Sequence, residues 1–196
     1  MFGELLQMPG VVEDVQLRSR IGFMAIHGGS LERRTAELAT LAAERAGASL
    51  YAVRQPEDLR WHLPSHLVDP GASPALSEFV GHVDVVYSLH GYGRAGFWTT
   101  LLLGGANRAV AAATADALRA ALPGYLVVDD VDAIPADLRG LHPTNPVNLP
   151  RRGGVQLELP PRVRGLGPHW RAAPDDELVP PACALVDALA ALATRG

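Results

Sequence analysis

Residues 21–32 read Ile-Gly-Phe-Met-Ala-Ile-His-Gly-Gly-Ser-Leu-Glu, an apolar run that ends in a histidine followed by two glycines. Residues 83–91 repeat the pattern as Val-Asp-Val-Val-Tyr-Ser-Leu-His-Gly. Short apolar runs of this kind are typical of interior strands in a parallel sheet. Since ligands of open α/β proteins bind beyond the carboxyl ends of such strands, we expect both histidines to meet at one edge of the sheet.

Strand and helix patterns alternate along the rest of the chain. Apolar residues at helical spacing predict helices at 31–46, 73–80, 107–122 and 181–194. Further short strands are predicted at 15–17, 49–53, 97–103, 125–128 and 154–159, with long loops at 56–74 and 133–152. This alternation predicts an α/β fold, an open mixed sheet with helices on both faces, in a single domain that spans residues 1–196.

The composition excludes several classes of function. The 196 residues are 48% hydrophobic with a net charge of −4, and no apolar run approaches the roughly 18 residues of a membrane span. All 17 basic residues are arginine, and they form no long basic run of the kind that binds nucleic acid. The single cysteine excludes an intrachain disulfide. We expect a monomeric, cytoplasmic protein with no signal peptide and no membrane or nucleic-acid partner; release by cell lysis is compatible with this.

His27, Glu32 and His90 form a candidate metal site. Two imidazoles and a carboxylate are the usual ligands of a catalytic zinc ion, which keeps a fourth position open. Ser30 is predicted to cap the helix that follows, which places Glu32 in the first helical turn. The helix dipole favours a carboxylate there in any case, so an alternative interpretation makes Glu32 a helix charge and His27 a loop histidine.

Glu158 is the candidate general base, a group that a metal-dependent hydrolase needs beside its ion. It lies in the strand pattern Gly-Val-Gln-Leu-Glu-Leu at 154–159, where Gln156 and Glu158 share one face. From the pattern alone, an ordinary amphipathic strand with a solvated face is the better interpretation.

Weaker candidates surround these four residues. Arginine forks suit carboxylate binding, and histidines near the site can contact substrate or support ligands. The candidates of this kind are His62, His66, Arg94, Asn148 and Arg151. The remaining histidines, which are expected to be surface or structural residues, are His82, His142 and His169.

Taken in order, these motifs resemble the poly-γ-glutamate hydrolase family, which includes phage enzymes that degrade γ-linked polyglutamate capsules. The resemblance rests on Ala-Ile-His-Gly-Gly-x-x-Glu at 25–32 and Ser-Leu-His-Gly at 88–91. It continues through Ser-His-Leu-Val-Asp-Pro at 65–70, and through Asn148 and Arg151 to the pattern at 154–159.

The resemblance implies a zinc carboxypeptidase-like core with one zinc ion per chain. His27, Glu32 and His90 are then the zinc ligands, and Glu158 is the general base and acid that hydrolyses γ-glutamyl amide bonds. The expected substrate is an anionic γ-glutamyl polymer. One departure follows Glu32, where the family often has a Gly-Thr pair and this chain has Arg34-Thr35.

Two alternatives stay open at this point. One is a carboxypeptidase or amidohydrolase that acts on a small γ-glutamyl or N-acyl amino acid. The other is a non-catalytic module that retains the fold and binds a metal or an anionic peptide. The presence of Glu158 beside three candidate ligands favours catalysis, whereas the sequence leaves open endo or exo cleavage and the stereochemistry of the substrate.

Overall fold

The computed structural model of the chain describes residues 1–167 and 178–195, so His169 lies outside the described residues. Seven strands form one sheet in the order β1-β3-β2-β4-β7-β5-β6. The strands are β1 Val12–Gln16, β2 Ile21–Gly29, β3 Ser49–Gln55, β4 Val85–Gly91, β5 Thr100–Gly104, β6 Leu126–Val128 and β7 Gly154–Leu159. The helices are α1 Phe2–Leu6, α2 Thr35–Ala46, α3 Pro74–His82, α4 Arg108–Ala121 and α5 Pro180–Ala193.

The centre of the sheet is parallel and its flanks are not. Strand β2 pairs in parallel with β3 and β4, and β4 pairs in parallel with β7. Antiparallel pairing of β1 with β3 and of β5 with β7 makes the sheet mixed. The two histidine-bearing strands are therefore adjacent, and their carboxyl ends lie at the same edge.

Alternating residues of each central strand build a core on both faces of the sheet. Phe23, Leu89 and Leu157 lie in the larger cluster, together with buried side chains of α2, α4 and α5. Met24 and Val86 face the opposite way and pack with the buried residues of α1 and α3. The predicted α/β fold, an open mixed sheet with helices on both faces, is confirmed.

The start of α2 differs from the prediction. Helix α2 begins at Thr35, and residues 31–34 form turns in which the Glu32 N–H donates to the carbonyl oxygen of His27 over 2.9 Å. Ser30 donates its hydroxyl to the carbonyl oxygen of Leu59. The predictions that Ser30 caps the helix and that Glu32 lies in its first turn are therefore wrong, because the chain folds back on β2 before the helix starts.

No helix in the described parts of the chain could span a membrane. Across residues 1–167 and 178–195, every helix is too short or too polar to cross a bilayer.

Candidate active site

Three parallel strands bring His27, His90 and Glu158 to one edge of the sheet. His90 on β4 is the register partner of Glu158 on β7, so the two side chains stand side by side on the same face. His27 lies on β2 where the pairing with β3 shifts between Ala25 and Gly28. Such an irregularity re-aims a side chain at the end of a strand.

The two glycines after His27 are required by close backbone packing. A Cβ at Gly28 would lie 2.5 Å from the Cβ of Ala36 and 2.8 Å from the carbonyl oxygen of Val53. Gly29 has a φ of +74°, and a Cβ there would overlap the backbone of Gln55. Glycine accepts both conditions without a steric penalty, so β2 can end tightly against α2 and β3.

The carboxylate of Glu32 lies between the two histidines. Its Oε1 is 2.9 Å from Nδ1 of His27, and its Oε2 is 3.5 Å from Nδ1 of His90. Oε2 also accepts a 2.8 Å hydrogen bond from the N–H of Gly91. The three predicted ligands are therefore brought together, with both Nδ1 atoms turned toward one carboxylate.

The second nitrogen of each imidazole is held by a neighbouring group. Nε2 of His27 is 2.8 Å from the carbonyl oxygen of Leu63, and Nε2 of His90 is 3.1 Å from Oγ of Ser88. A carbonyl oxygen only accepts, so the proton of neutral His27 lies on Nε2 and Nδ1 presents a lone pair. A lone pair that faces a carboxylate oxygen at 2.9 Å requires a proton or a cation between them, and the donor set therefore fits a metal ion.

The charges of this group depend on one another. Burial opposes the negative charge of Glu32, but attraction to His27 and His90 outweighs it and holds the pKa of this carboxyl far below its usual value. Burial also opposes the charge on His90, yet the Glu32 carboxylate raises the pKa of its imidazole. With His27 and His90 each only 2% exposed, water screens these interactions poorly.

Glu158 is a buried carboxyl whose pKa lies near neutrality. It is 4% exposed, and burial raises its pKa to about 7 although His90 pulls in the opposite direction. Gln156 donates from Nε2 to its Oε1 over 2.9 Å, and Asn145 in turn donates to Oε1 of Gln156 over 2.9 Å. The polar face of β7 is thus buried and hydrogen-bonded, so the interpretation as a solvated strand face is wrong.

His62 lies close to His27 and Glu32, although the sequence placed it among the weaker candidates. His27, Glu32 and His62 offer ligand atoms that all lie within 4.8 Å of one another. The rings of His27 and His62 are 5.0 Å apart, and those of His27 and His90 are 5.1 Å apart. His62 is exposed, whereas His27 and His90 are buried. Its place in a loop without periodicity explains why the sequence favoured the two strand-end histidines.

The other predicted contact residues differ in where they lie and what they contact. His66 lines the same cavity as His27 and Glu158, and its ring lies 4.7 Å from that of His142. Arg94 pairs with Asp137, which lines the cavity. Asn148 donates to the carbonyl oxygens of Gly140 and His142 and so ties down a loop.

Arg151 lies at the other end of the sheet. It makes two 3.0 Å hydrogen bonds to Asp84, which immediately precedes β4. The structure therefore does not bring Arg151 to the edge where His90 ends the same strand.

Arg164 is a buried cation that the sequence analysis did not single out. Its guanidinium donates to the carbonyl oxygens of Leu159, Arg33 and Tyr92. These bonds join the end of β7, the segment after β4 and the turn that carries Glu32. No periodic pattern marks this residue, because its partners come from three distant parts of the chain.

The active-site cavity has a volume of about 590 Å³. Its lining combines the three predicted ligands with Glu158 and with the loops that carry His62, His66 and His142. A buried carboxyl that titrates near neutrality next to a candidate metal position can exchange a proton with a bound molecule.

Comparison with known proteins gives one family and several similar folds. The family model for poly-gamma-glutamate hydrolase matches residues 7–166. A bacteriophage poly-gamma-glutamate hydrolase superposes with a TM-score of 0.79 at 22% identity, covering 96% of this chain and 91% of that one. YNDL in an apo, zinc-free form gives a TM-score of 0.76 at 22% identity, with 94% and 90% covered.

A more distant fold neighbour is a Burkholderia mallei protein provisionally assigned as a carboxypeptidase. Its TM-score is 0.55 at 12% identity, with 98% of this chain and 66% of that one covered. No curated protein sequence matches the chain. The structural likenesses confirm the carboxypeptidase-like fold expected from the sequence.

Proposed function

The chain belongs to the poly-γ-glutamate hydrolase family, and from this premise we propose that it hydrolyses γ-glutamyl amide bonds with the aid of one zinc ion. Membership of the family makes the protein a hydrolase. The zinc ion, the substrate and the roles of the individual residues are the parts that we propose.

One observation carries the zinc proposal. Nδ1 of His27 and Nδ1 of His90 both face the carboxylate of Glu32, while the Nε2 atoms are held by Leu63 and Ser88. Ligating histidines ordinarily donate their other N–H to a neighbouring oxygen in this way. Two histidines and one carboxylate with an open fourth position suit a catalytic zinc ion better than a structural one.

Each residue then has a defined task. When bound, zinc supplies Lewis-acid chemistry that makes water more acidic and polarises the amide carbonyl. Glu158 takes the proton from the attacking water on its carboxylate and later delivers it to the amide nitrogen that leaves. Gln156 holds this carboxylate in place from the neighbouring position on the same face.

The substrate proposal follows the family and the shape of the site. An anionic γ-glutamyl polymer presents a carboxylate on every unit, and the active-site cavity is open to solvent beside the exposed His62 and His66. The buried pair His90 and Glu158 lies beneath this opening.

The proposal is tested by incubating the zinc-loaded protein with poly-γ-glutamate and following the polymer's length by gel filtration. We expect wild type to shorten the polymer and Glu158→Gln to lose at least about 100-fold in kcat, the contribution typical of a general base. Glu78→Gln, which removes an exposed carboxyl on α3, is the matched control and keeps wild-type activity.

Two results would contradict the proposal. Polymer binding without cleavage, unchanged by Glu158→Gln, would identify a non-catalytic module. Cleavage confined to a γ-glutamyl dipeptide or an N-acyl amino acid would exclude the polymer as the substrate and identify an amidohydrolase of small substrates.

A further inference from the structure

A second cavity of about 750 Å³ lies on the other side of the turn that carries Glu32. The two cavities share no lining residue, although both are lined by residues of the same turn. Glu32 faces the active site, whereas Arg33 and Arg34 line the second cavity together with Arg60. We call this second space the arginine cavity.

The three arginines of this cavity have no partner among the residues that the structure describes. Within the described residues, no hydrogen bond or ion pair joins the guanidinium of Arg33, Arg34 or Arg60 to another group. Several other arginines are engaged, as Arg54 is with Thr40 and Asp14 and as Arg164 is with three carbonyl oxygens. Three unpaired guanidinium groups around one concave surface can bind carboxylates through paired N–H donors.

The backbone of Arg34 adopts a conformation that residues other than glycine disfavour. Its φ is +74°, and among residues 1–167 and 178–195 it alone has a positive φ without being glycine. Glycine adopts this left-handed region freely, whereas a residue with a Cβ is strained there. Arg34 therefore carries a steric penalty at the point where the turn enters α2, and its side chain lines the arginine cavity from there.

A carboxylate in the same cavity lacks a donor. Oε2 of Glu37 is buried and is the one such side-chain atom without a hydrogen-bond partner in the described part of the chain. Glu37 lines the arginine cavity, as does the exposed Glu57. A buried acceptor without a partner is costly unless a ligand supplies an N–H. Because Oε2 is shielded from solvent, Glu37 can offer this oxygen to a ligand only when its side chain turns toward the cavity. In that conformation the cavity combines donors for a carboxylate with an acceptor for an N–H.

We propose that the arginine cavity binds a γ-glutamyl unit of the substrate polymer away from the bond that is cut. In a γ-linked chain, one α-carbon carries both a free carboxylate and an amide N–H. Arg34 and its neighbours bind the carboxylate, and Glu37 accepts the N–H. The inference rests on the proposed function, since it assigns a second contact for the same polymer.

The test measures the affinity for poly-γ-glutamate calorimetrically in zinc-loaded Glu158→Gln, so that the polymer stays uncut. Adding Arg34→Gly or Arg60→Gln is expected to raise the Kd about fivefold each, the effect of one partly screened charged contact. Arg152→Gln is the matched control, because Arg152 is an exposed arginine that lies before β7 at the opposite edge of the sheet. It should leave the Kd unchanged.

Arg34→Gly separates binding from folding. The substitution removes the steric penalty at positive φ, so its melting temperature is expected to be no lower than that of Glu158→Gln alone. Poly-α-glutamate of equal length serves as a second ligand, because its side-chain carboxylates are not on the carbon that carries the amide N–H. Arg34→Gly should weaken the γ-linked polymer more than the α-linked one.

The outcomes distinguish this inference from the proposed function. If the γ-linked polymer still binds tightly after both arginine substitutions, the role proposed for the arginine cavity is wrong and the hydrolase proposal still stands. Equal weakening of both polymers would overturn the assignment to a paired carboxylate and N–H. A wild-type protein that neither binds nor cuts poly-γ-glutamate would overturn the proposed function itself.

Discussion

Glu158 owes its chemical character to its neighbours on β7 and β4. Burial raises its pKa to about 7, and the N–H of Gln156 acts in the opposite direction because it stabilises the ionised carboxylate. Asn145 fixes which way Gln156 points by donating to Oε1 of that amide. Asn145 and Gln156 together therefore present an N–H, and not a carbonyl oxygen, to the general base.

Replacing Gln156 by leucine is expected to shift the acid limb of the pH–rate profile to higher pH. Loss of the donor raises the pKa of Glu158, and a base works only when ionised, so activity is lost first on the acid side. On the order of a tenfold loss in kcat/KM is expected at pH 6, the worth of one hydrogen bond to a charged group. The profile is measured with zinc-saturated protein on poly-γ-glutamate.

Asn145→Ala provides the companion measurement for this pair. It frees the Gln156 amide to turn, so the same limb should move in the same direction by a smaller amount. An acid limb that stays in place in both variants would show that the amide pair does not tune Glu158.

At the level of elements, the end of β2 and the start of α2 place two of the three ligands. The chain turns back on His27 through residues 28–34, and Arg164 ties this turn to β7 and to the segment after β4. The tight packing of Gly28 against Ala36 determines how close α2 comes to the strand.

Gly28→Ala is expected to lower the free energy of unfolding by about 1–3 kcal/mol, the usual cost of inserting a methyl group into a filled space. The added Cβ must push α2 or β3 away from β2, so zinc affinity should fall together with stability. Chemical denaturation and competition with a zinc chelator measure the two effects.

Gly81→Ala is the control for this substitution. Gly81 lies near the end of α3, and a Cβ there would meet nothing within 4 Å. Alanine in a helix is favoured over glycine by about 0.5–1 kcal/mol, so this variant should be slightly more stable and bind zinc normally. Normal stability and zinc binding in Gly28→Ala would contradict the role given to this contact.

The elements were largely predictable because their hydrophobic periods are strong. β7 has the predicted bounds, 154–159, and the four predicted helices are present with small shifts at their ends, apart from the start of α2. That start was not predictable from Ser30, because the preceding turn is stabilised by contacts to His27, Leu59 and Arg164 that come from tertiary structure.

At the scale of the whole molecule, the sheet order turns three distant motifs into one site. The placement of β4 between β2 and β7 joins residues 27, 90 and 158, which a rule about strand ends anticipates once the strands are known. The loop contributions of His62 and Asn145 and the buried Arg164 follow no periodic pattern. They depend on how loops cross the edge of the sheet, which sequence spacing does not encode.

The proposed chemistry depends on a zinc site shared by residues on β2, β4 and the turn between β2 and α2. The decisive experiment is elemental analysis of the purified, zinc-dialysed protein beside His27→Ala, His90→Ala and the control His82→Ala, which changes a half-buried histidine at the end of α3. We expect about one zinc per chain in wild type and in His82→Ala, and loss of zinc in the other two variants while circular dichroism shows them folded. A wild-type protein without zinc, or zinc retained by both His27→Ala and His90→Ala, would contradict it.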